Sequence, residues 1–507
     1  MRSYLLAFSK VSSSILLSRV LGLARDILFA RWIPSVALDL FIVAFQIPNF
    51  FRRIVAEGAF TQCFLPIYAT YQEQPKAARH RFIVSIFYSM LGLLILLVFG
   101  LMVSTHWWVP RYLSGITDPA RLSLAQQLIG LTIPYLLGVT GMAFFSALLN
   151  AHRRFGWPAL APCFLNIVLI VALGLAVYQS AEPLVIWLGY AVPIAGVIQC
   201  LWVWVAWRTL DGPMHWWVKI DWQGVSRLMK KLFIGLSAGV ILQCGLLIDV
   251  YLASFLISGS MTWLYYGQRL MQLPFALIGI GWVTVWVPSL NQAYHEKRFK
   301  DYSKLMHQGI NVLLVIGLPA AMGLIFLAKP IIATLFYHGS FLSSDVERTA
   351  SSLQGYACGL PAYVLIRWLS SLFYARQDMA SPVRYITYAM VVHVVLCVIF
   401  MPKYGHIAIA YSLSFSAWFQ IGCLLVGLRK AGFSVEWSSV LWGRMLLLII
   451  IFSIWLWYMQ AAYDFLQFVP SMRIFWLTLY VGLSVGFYAL CAWPLGLYTR
   501  LSDADKV

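Results

Sequence analysis

Residues 12–32 read SSSILLSRVLGLARDILFARW, an apolar stretch of membrane-span length with Arg19 and Arg25 inside it. The next apolar stretch, DLFIVAFQIPNFFRRIVAEGAF at 39–60, closes on Arg52 and Arg53. A charge placed within a membrane span costs roughly 2.5–3.5 kcal/mol on insertion scales, so such residues face a watery cavity and mark a substrate or ion path. Their sign is informative as well. Cations clustered inside a membrane point to a ligand that is an anion.

The rest of the chain agrees that the surroundings are lipid. Of 507 residues, 61% are hydrophobic and 11% charged, and mean hydropathy is +0.80. A soluble domain is about 45–50% apolar and about 25% charged. The excess lies in long runs such as FIVSIFYSMLGLLILLVFGLMV from Phe82 and MLLLIIIFSIWLWYM from Met445. About 20 such residues cross the hydrocarbon as a helix, which excludes a soluble α-protein. The net charge of +18 sits in short loops between spans, so no nucleic-acid partner is expected. The eight cysteines are scattered through apolar runs with no C-x-x-C and read as small core residues. The N-terminus reads as a retained first helix, because no A-x-A-like cleavage site follows its apolar stretch.

Fourteen spans are expected, starting near residues 11, 36, 82, 124, 160, 184, 232, 261, 307, 353, 383, 406, 438 and 473. Lysines and arginines orient them. One set of loops holds Lys76, Arg79, Arg81, Arg153, Arg154, Arg208, Lys219, Lys230, Lys231, Lys297, Arg298, Arg376, Arg429 and Lys430, and both termini lie on that side. The opposite loops hold few cations, partly offset by Asp118, Glu182, Asp345, Glu347 and Asp464. Both termini are therefore expected in the cytoplasm. The chain also repeats. Ser146–Pro158 matches Ser370–Pro382 at an offset of 224, and Gln46-Ile-Pro48 matches Gln272-Leu-Pro274 at 226. Parallel repeats of this kind predict two six-helix lobes, residues 1–210 and 211–432, with a substrate site between them. Residues 433–507, holding spans 13 and 14, fall outside the repeat.

No motif for covalent chemistry or ATP use is present, so the chain is not read as an enzyme. The intramembrane charges are Arg19, Arg25, Asp26, Asp39, Arg52, Arg53 and Glu57 in the first half, and Asp249, Arg269 and Arg367 in the second. Arg19 and Arg25 stand about 9 Å apart along a helix and project roughly 120° apart, so a break at Gly22 could turn both to one cavity. Arginine forks bind phosphate bidentately, and three or four could hold a diphosphate. Structural roles compete with this. Arg25–Asp26 and Arg53–Glu57 can be ion pairs that fix helix packing. Arg52 and Arg53 can snorkel to the interface, and Arg269 can be an interfacial anchor. Asp249 is a cation ligand, a proton site or a partner for an arginine.

The motifs SRVLGLARD at 18–26, QIPNFFRRIVAEGAFTQCFLP at 46–66 and YYGQRLMQLP at 265–274 resemble the MurJ (MviN) lipid II flippase family. The likeness continues through RFGWPALAPCFLNI and FYARQDMASPV and covers essentially the whole chain. It implies a fourteen-helix member of the multidrug/oligosaccharidyl-lipid/polysaccharide exporter superfamily, all-α, with two last helices forming a groove for a polyprenyl tail. It implies movement of the undecaprenyl-diphosphate-linked peptidoglycan precursor between leaflets of the bacterial cytoplasmic membrane. Carried over by position, Arg19, Arg25, Arg52 and Arg269 would bind substrate, and Asp26, Asp39, Arg53, Glu57 and Arg367 would be further functional charges. Before the arginine of YYxxR the family commonly has an acidic or amide residue; here it is Gln268, so a carboxylate that takes part in coupling there would be lacking. Some members bind sodium on spans 7, 11 and 12. Asp249 resembles the span 7 ligand, but His393 and Cys397 stand at span 11 and are poor sodium ligands. No cofactor is expected, and coupling to a monovalent cation, Na⁺ or H⁺, stays open with Asp249 as its candidate site.

The expected function is a potential-driven, alternating-access flippase of the inner membrane, acting as a monomer. Its partners would be the lipid-linked precursor, membrane lipids and cell-wall synthesis proteins. Three rivals stand beside it: a drug/cation antiporter, an O-antigen-type flippase, and a non-transporting scaffold for cell-wall enzymes.

Overall fold

The computed structural model describes residues 2–54, 60–211, 216–433, 439–461 and 467–494. Among these, side chains are described except at 2–12, 15, 211, 233–242, 280, 284, 439–441 and 461. Every regular element among the described residues is a helix. A bilayer leaves few alternatives, because backbone N–H and C=O groups find no water there and must pair within the segment. Eleven helices among the described residues are long and apolar enough to cross a membrane. The fourteen expected starts fall in or next to helical stretches, but α1, α10 and the broken α15–α16 pair are not among the eleven.

The chain divides into two compact units, Met1–Gly259 and Ser260–Val507. The first holds α1 (Arg2–Trp32), α2 (Ser35–Ile54), α3 (Phe60–Gln72), α4 (Lys76–Val103), α5 (Thr105–Tyr112), α6 (Pro119–Thr132), α7 (Tyr135–Ala151), α8 (Gly156–Tyr178), α9 (Leu184–Asp211) and α10 (Trp222–Ala253). The second holds α11 (Ser260–Phe275), α12 (Gly281–His295), α13 (Phe299–Phe326), α14 (Ala328–Phe336), α15 (Ser343–Ala357), α16 (Leu360–Ala375), α17 (Ala380–Tyr404), α18 (His406–Lys430), α19 (Ser439–Ala461) and α20 (Pro470–Ala492). The repeat boundary at 210/211 and the packing boundary at 259/260 differ by α10. Helix α10 packs on α2, α3 and α4. Its N-cap, Asp221, accepts from the Gly224 N–H at 3.0 Å and from the Tyr71 hydroxyl at 2.8 Å. The Asp221 N–H donates to Ser85 Oγ at 2.8 Å, and Arg81 Nε donates to the Lys219 carbonyl at 2.7 Å.

Both units are inverted relative to a soluble protein only on their outer faces. Leu96 (71% exposed) and Phe99 (65%) point outward from α4, where lipid rather than water meets them. Inside the first unit, Phe60, Phe64, Tyr68, Phe82 and Phe144 stack into an aromatic core. Without a strong hydrophobic drive between helices in lipid, close approach relies on small residues. A Cβ on Gly138 would collide with the backbone of Gly196, so α7 and α9 meet backbone to backbone there.

Breaks in the helices have named causes. Pro48 has no N–H for the Ala44 carbonyl four residues back, and the Thr132 hydroxyl of α6 takes that carbonyl at 3.0 Å instead. Cys358 and Gly359 separate α15 from α16, and Pro361 sits in the first turn of α16. A π-helical turn, Ala276–Ile280, follows Pro274 between α11 and α12. In the loop before α17, the Ser381 hydroxyl and then its N–H hold the Asp378 carboxyl below its ordinary range. The Tyr488 hydroxyl of α20 donates to the Val315 carbonyl at 2.6 Å, and Arg473 donates to the Tyr337 carbonyl at 3.2 Å, so α20 is fastened to α13 and to the end of α14.

Candidate functional site

The charges of the first unit lie along α1 and α2, which are joined by the short turn at 33–34. Measured along the helices from that turn, Asp39 is about 6 Å away, Arg25 about 10 Å, Arg19 about 20 Å, and Arg52 and Arg53 about 26–27 Å. The expected site residues of this half therefore fall into two groups by distance from the turn.

In the group near the turn, the site residues Arg25, Asp26 and Asp39 are all engaged. Arg25 is buried at 6% exposure and Asp26 at 0%. Arg25 Nη2 lies 2.6 Å from Asp26 Oδ1, Nε donates to the same oxygen at 3.0 Å, and Nη1 donates to Asn166 Oδ1 of α8 at 3.1 Å. Asn166 Nδ2 in turn donates to the Ser18 carbonyl at 3.2 Å. The guanidinium stands 5.5 Å from the Phe29 ring centre. Asp39, also buried, accepts from the Gly259 N–H and lies 4.0 Å from Arg121 Nη2. Arg121 also donates to the Ser258 hydroxyl. Asp39 thus ties the end of the first unit to α2 and α6.

The deeper group is differently placed. Arg19, Arg52 and Arg53 are half-buried. Arg52 Nε donates to Asn49 Oδ1, a neutral amide, at 3.0 Å. Glu57 lies outside the described residues, and with it the Arg53–Glu57 pair expected from their spacing. That partner is neutral, whereas Arg25 meets a carboxylate.

In the second unit, Arg269 is half-buried on α11, with Tyr265 and buried Tyr266 beside it in the chain. Arg367 is exposed on α16, although the next residue, Trp368, is fully buried. Gln268 is half-buried. Asp249, the candidate cation site, is half-buried on α10 of the first unit. His393 and Cys397 are both buried on α17 of the second, with Cys397 Sγ 3.7 Å from each ring nitrogen of His393. Among the described residues, no group of three or more His, Cys, Asp or Glu is placed to hold a metal ion. Two engaged residues, Asn166 and Arg121, are not among those the sequence reading selects. Asn166 is signalled by being a lone amide in the apolar run after Pro162. Arg121 carries no signal, because it reads as a loop cation.

With eleven membrane-length helices among the described residues and arginines inside them, this is a polytopic membrane protein. Its fold is that of a solved structure titled lipid II flippase MurJ, inward closed conformation, with a TM-score of 0.81, 23% identity, and coverage of 97% of this chain and 98% of that one. It also matches an inward-facing multidrug resistance MATE transporter of the MOP superfamily, with a TM-score of 0.68, 15% identity, and coverage of 84% and 98%. A family model described as lipid II flippase MurJ matches residues 33–476. The probable lipid II flippase MurJ of Vibrio cholerae is 33% identical over 97% of this chain and 96% of its own length. The lipid II flippase MurJ of Burkholderia cenocepacia is 34% identical over 84% of each. The chain belongs to the lipid II flippase MurJ family, and is a multi-pass inner-membrane transporter rather than an enzyme.

Proposed function

We propose that this protein carries lipid II, the undecaprenyl-diphosphate-linked peptidoglycan precursor, from the inner to the outer leaflet of the cytoplasmic membrane by alternating access. The observation that carries this reading is the half-buried trio Arg19, Arg52 and Arg53, a cationic stretch on the cytoplasmic part of α1 and α2. A diphosphate entering from the cytoplasm meets those forks first. Arg269 and Arg367 supply cations from the second lobe, residues 211–432 in the repeat. Both termini then lie in the cytoplasm. The polyprenyl tail stays in the bilayer along α19 and α20, whose Ile454, Trp457 and Phe475 are lipid-exposed.

The membrane potential, negative inside, is the proposed drive. It is worth about 2.3 kcal/mol for each elementary charge moved across 100 mV, and it favours an anion leaving. The test measures precursor sidedness in cells whose native flippase is depleted and replaced by this protein. Outward precursor should accumulate, and should fall when the potential is collapsed at constant pH. Precursor that stays inward at full potential overturns the substrate. Precursor that moves outward regardless of potential overturns the drive alone.

A further inference from the structure

Between α4, α7 and α9 of the first unit lies an apolar crevice of about 230 Å³. Leu94 and Phe87 of α4, Thr140, Gly141 and Phe144 of α7, and Cys200 of α9 line it. Its origin is local. The backbone contact of Gly138 with Gly196 pulls α7 and α9 together, and the small residues Thr140, Gly141 and Cys200 follow on that seam. The side chains of α4 bridge the seam without filling it.

Depth decides what can occupy such a place. Phe87 to Leu94 lie about 16–27 Å along α4 from Lys76, which puts the crevice at the level of the hydrocarbon. Trp216 marks its shallow end, with ring centres 5.5 Å from Phe87 and 6.1 Å from Tyr88, as interfacial tryptophans do. Apolar cavities of about 150 Å³ already take up benzene in water. At this depth the ligand on offer is a hydrocarbon chain. The three helices that line the crevice also all end in cations on the side where it begins. These are Lys76, Arg79 and Arg81 on α4, Arg153 and Arg154 just after α7, and Arg208 on α9. The acids beside them are Glu73 in the loop before α4, Asp211 at the end of α9 and Asp221 at the start of α10, so the cations outnumber the carboxylates. Surface cations of this kind attract anionic headgroups.

We infer that the crevice is a lipid site, holding one acyl chain of an anionic phospholipid whose headgroup lies among those cations. The site is separate from the α1–α2 charges. The inference rests on the proposed orientation, with the cationic ends in the cytoplasmic leaflet.

The test uses the full-length protein in bilayers of phosphatidylethanolamine and phosphatidylglycerol, each doped in turn with a mid-chain diazirine analogue. Light should attach the phosphatidylglycerol analogue to peptides spanning 137–144 and 197–201 more than the phosphatidylethanolamine analogue. Leu94→Trp fills the crevice from its half-exposed wall and should lower that labelling about tenfold, the equivalent of losing roughly two buried methylenes. Leu93→Trp, on the exposed face of the same helix, should leave it unchanged and controls for folding. Arg79→Gln with Arg154→Gln should erase the preference for the anionic lipid. Labelling spread evenly over exposed residues such as Leu96 and Phe99, or unaltered by Leu94→Trp, overturns the site. Displacement of the label by undecaprenyl phosphate overturns the occupant, since the chain would then be prenyl. The readout does not depend on transport, so failure of the flippase reading would leave this labelling in place.

Discussion

The two ends of the α1–α2 pair carry similar residues to opposite effect. Near the turn, two cations and two anions, Arg25, Arg121, Asp26 and Asp39, hold one another and the backbone of Gly259. Deeper in, Arg19, Arg52 and Arg53 bring three positive charges, and Arg52 is held by a neutral amide. We call the first, where opposite charges meet, the closed end, and the second, where Arg19, Arg52 and Arg53 stand, the open end. An arginine inside a membrane is therefore not by itself a ligand site. Arg25, paired with Asp26 and bonded to Asn166, joins α1 to α8.

The strongest way to break this distinction is to remove one half of the closed end. Arg25→Ala would leave Asp26 buried at 0% exposure without its cation, and losing one partner of a buried pair costs about 3–5 kcal/mol. Thermal unfolding in detergent should drop sharply, and Arg25→Ala with Asp26→Ala should recover much of the loss. A single variant as stable as the parent would mean that Arg25 is not a weld. Arg25→Lys keeps the charge but loses the fork shared between Asp26 and Asn166, so it should fall between the two.

At the open end the opposite pattern is expected. Arg19→Ala should lower outward precursor at least about tenfold, roughly 1.4 kcal/mol of lost binding to the moving anion, a larger fall than its change in thermal unfolding accounts for. Unchanged transport would remove Arg19 from the substrate path. Arg121→Gln probes the closed end again, more gently. Its ion pair with Asp39 is 4.0 Å and partly exposed, but the Gly259 N–H still satisfies Asp39, so a loss of about 1 kcal/mol is expected by the same unfolding measurement.

Much of this is legible in the amino-acid sequence. The helices follow from apolar runs, because a bilayer admits so few backbone solutions. The site residues were legible as a set of costly charges, and the adjacency of Arg25 and Asp26 already made an ion pair one reading. Their sorting into two ends was not legible. It depends on Asn166, 141 residues from Arg25 in the chain, and on Arg121, whose sequence context gives no hint of Asp39. Nor does the repeat foretell that α10 packs with the first unit. A repeat records where homologous segments lie in the chain, whereas the packing of α10 comes from particular side chains such as Tyr71, Ser85 and Asp221.

The smallest expected effect tests whether α2 is held in shape between its two ends. Pro48 lies between Asp39 and Arg52, so the course of the helix there sets where the cationic end stands. The freed Ala44 carbonyl is satisfied by the Thr132 hydroxyl, itself fully buried. Thr132→Val keeps the volume and the β-branch but leaves that carbonyl unpaired, at a cost of about 1 kcal/mol. Thr132→Ser keeps the hydroxyl and should lose less in the same unfolding measurement. If the Thr132–Ala44 bond also positions the open end, Thr132→Val should slow transport severalfold while Thr132→Ser does not. Equal losses of stability in the two variants would assign the effect to packing around Thr132, and leave the placement of Arg52 to the rest of α2.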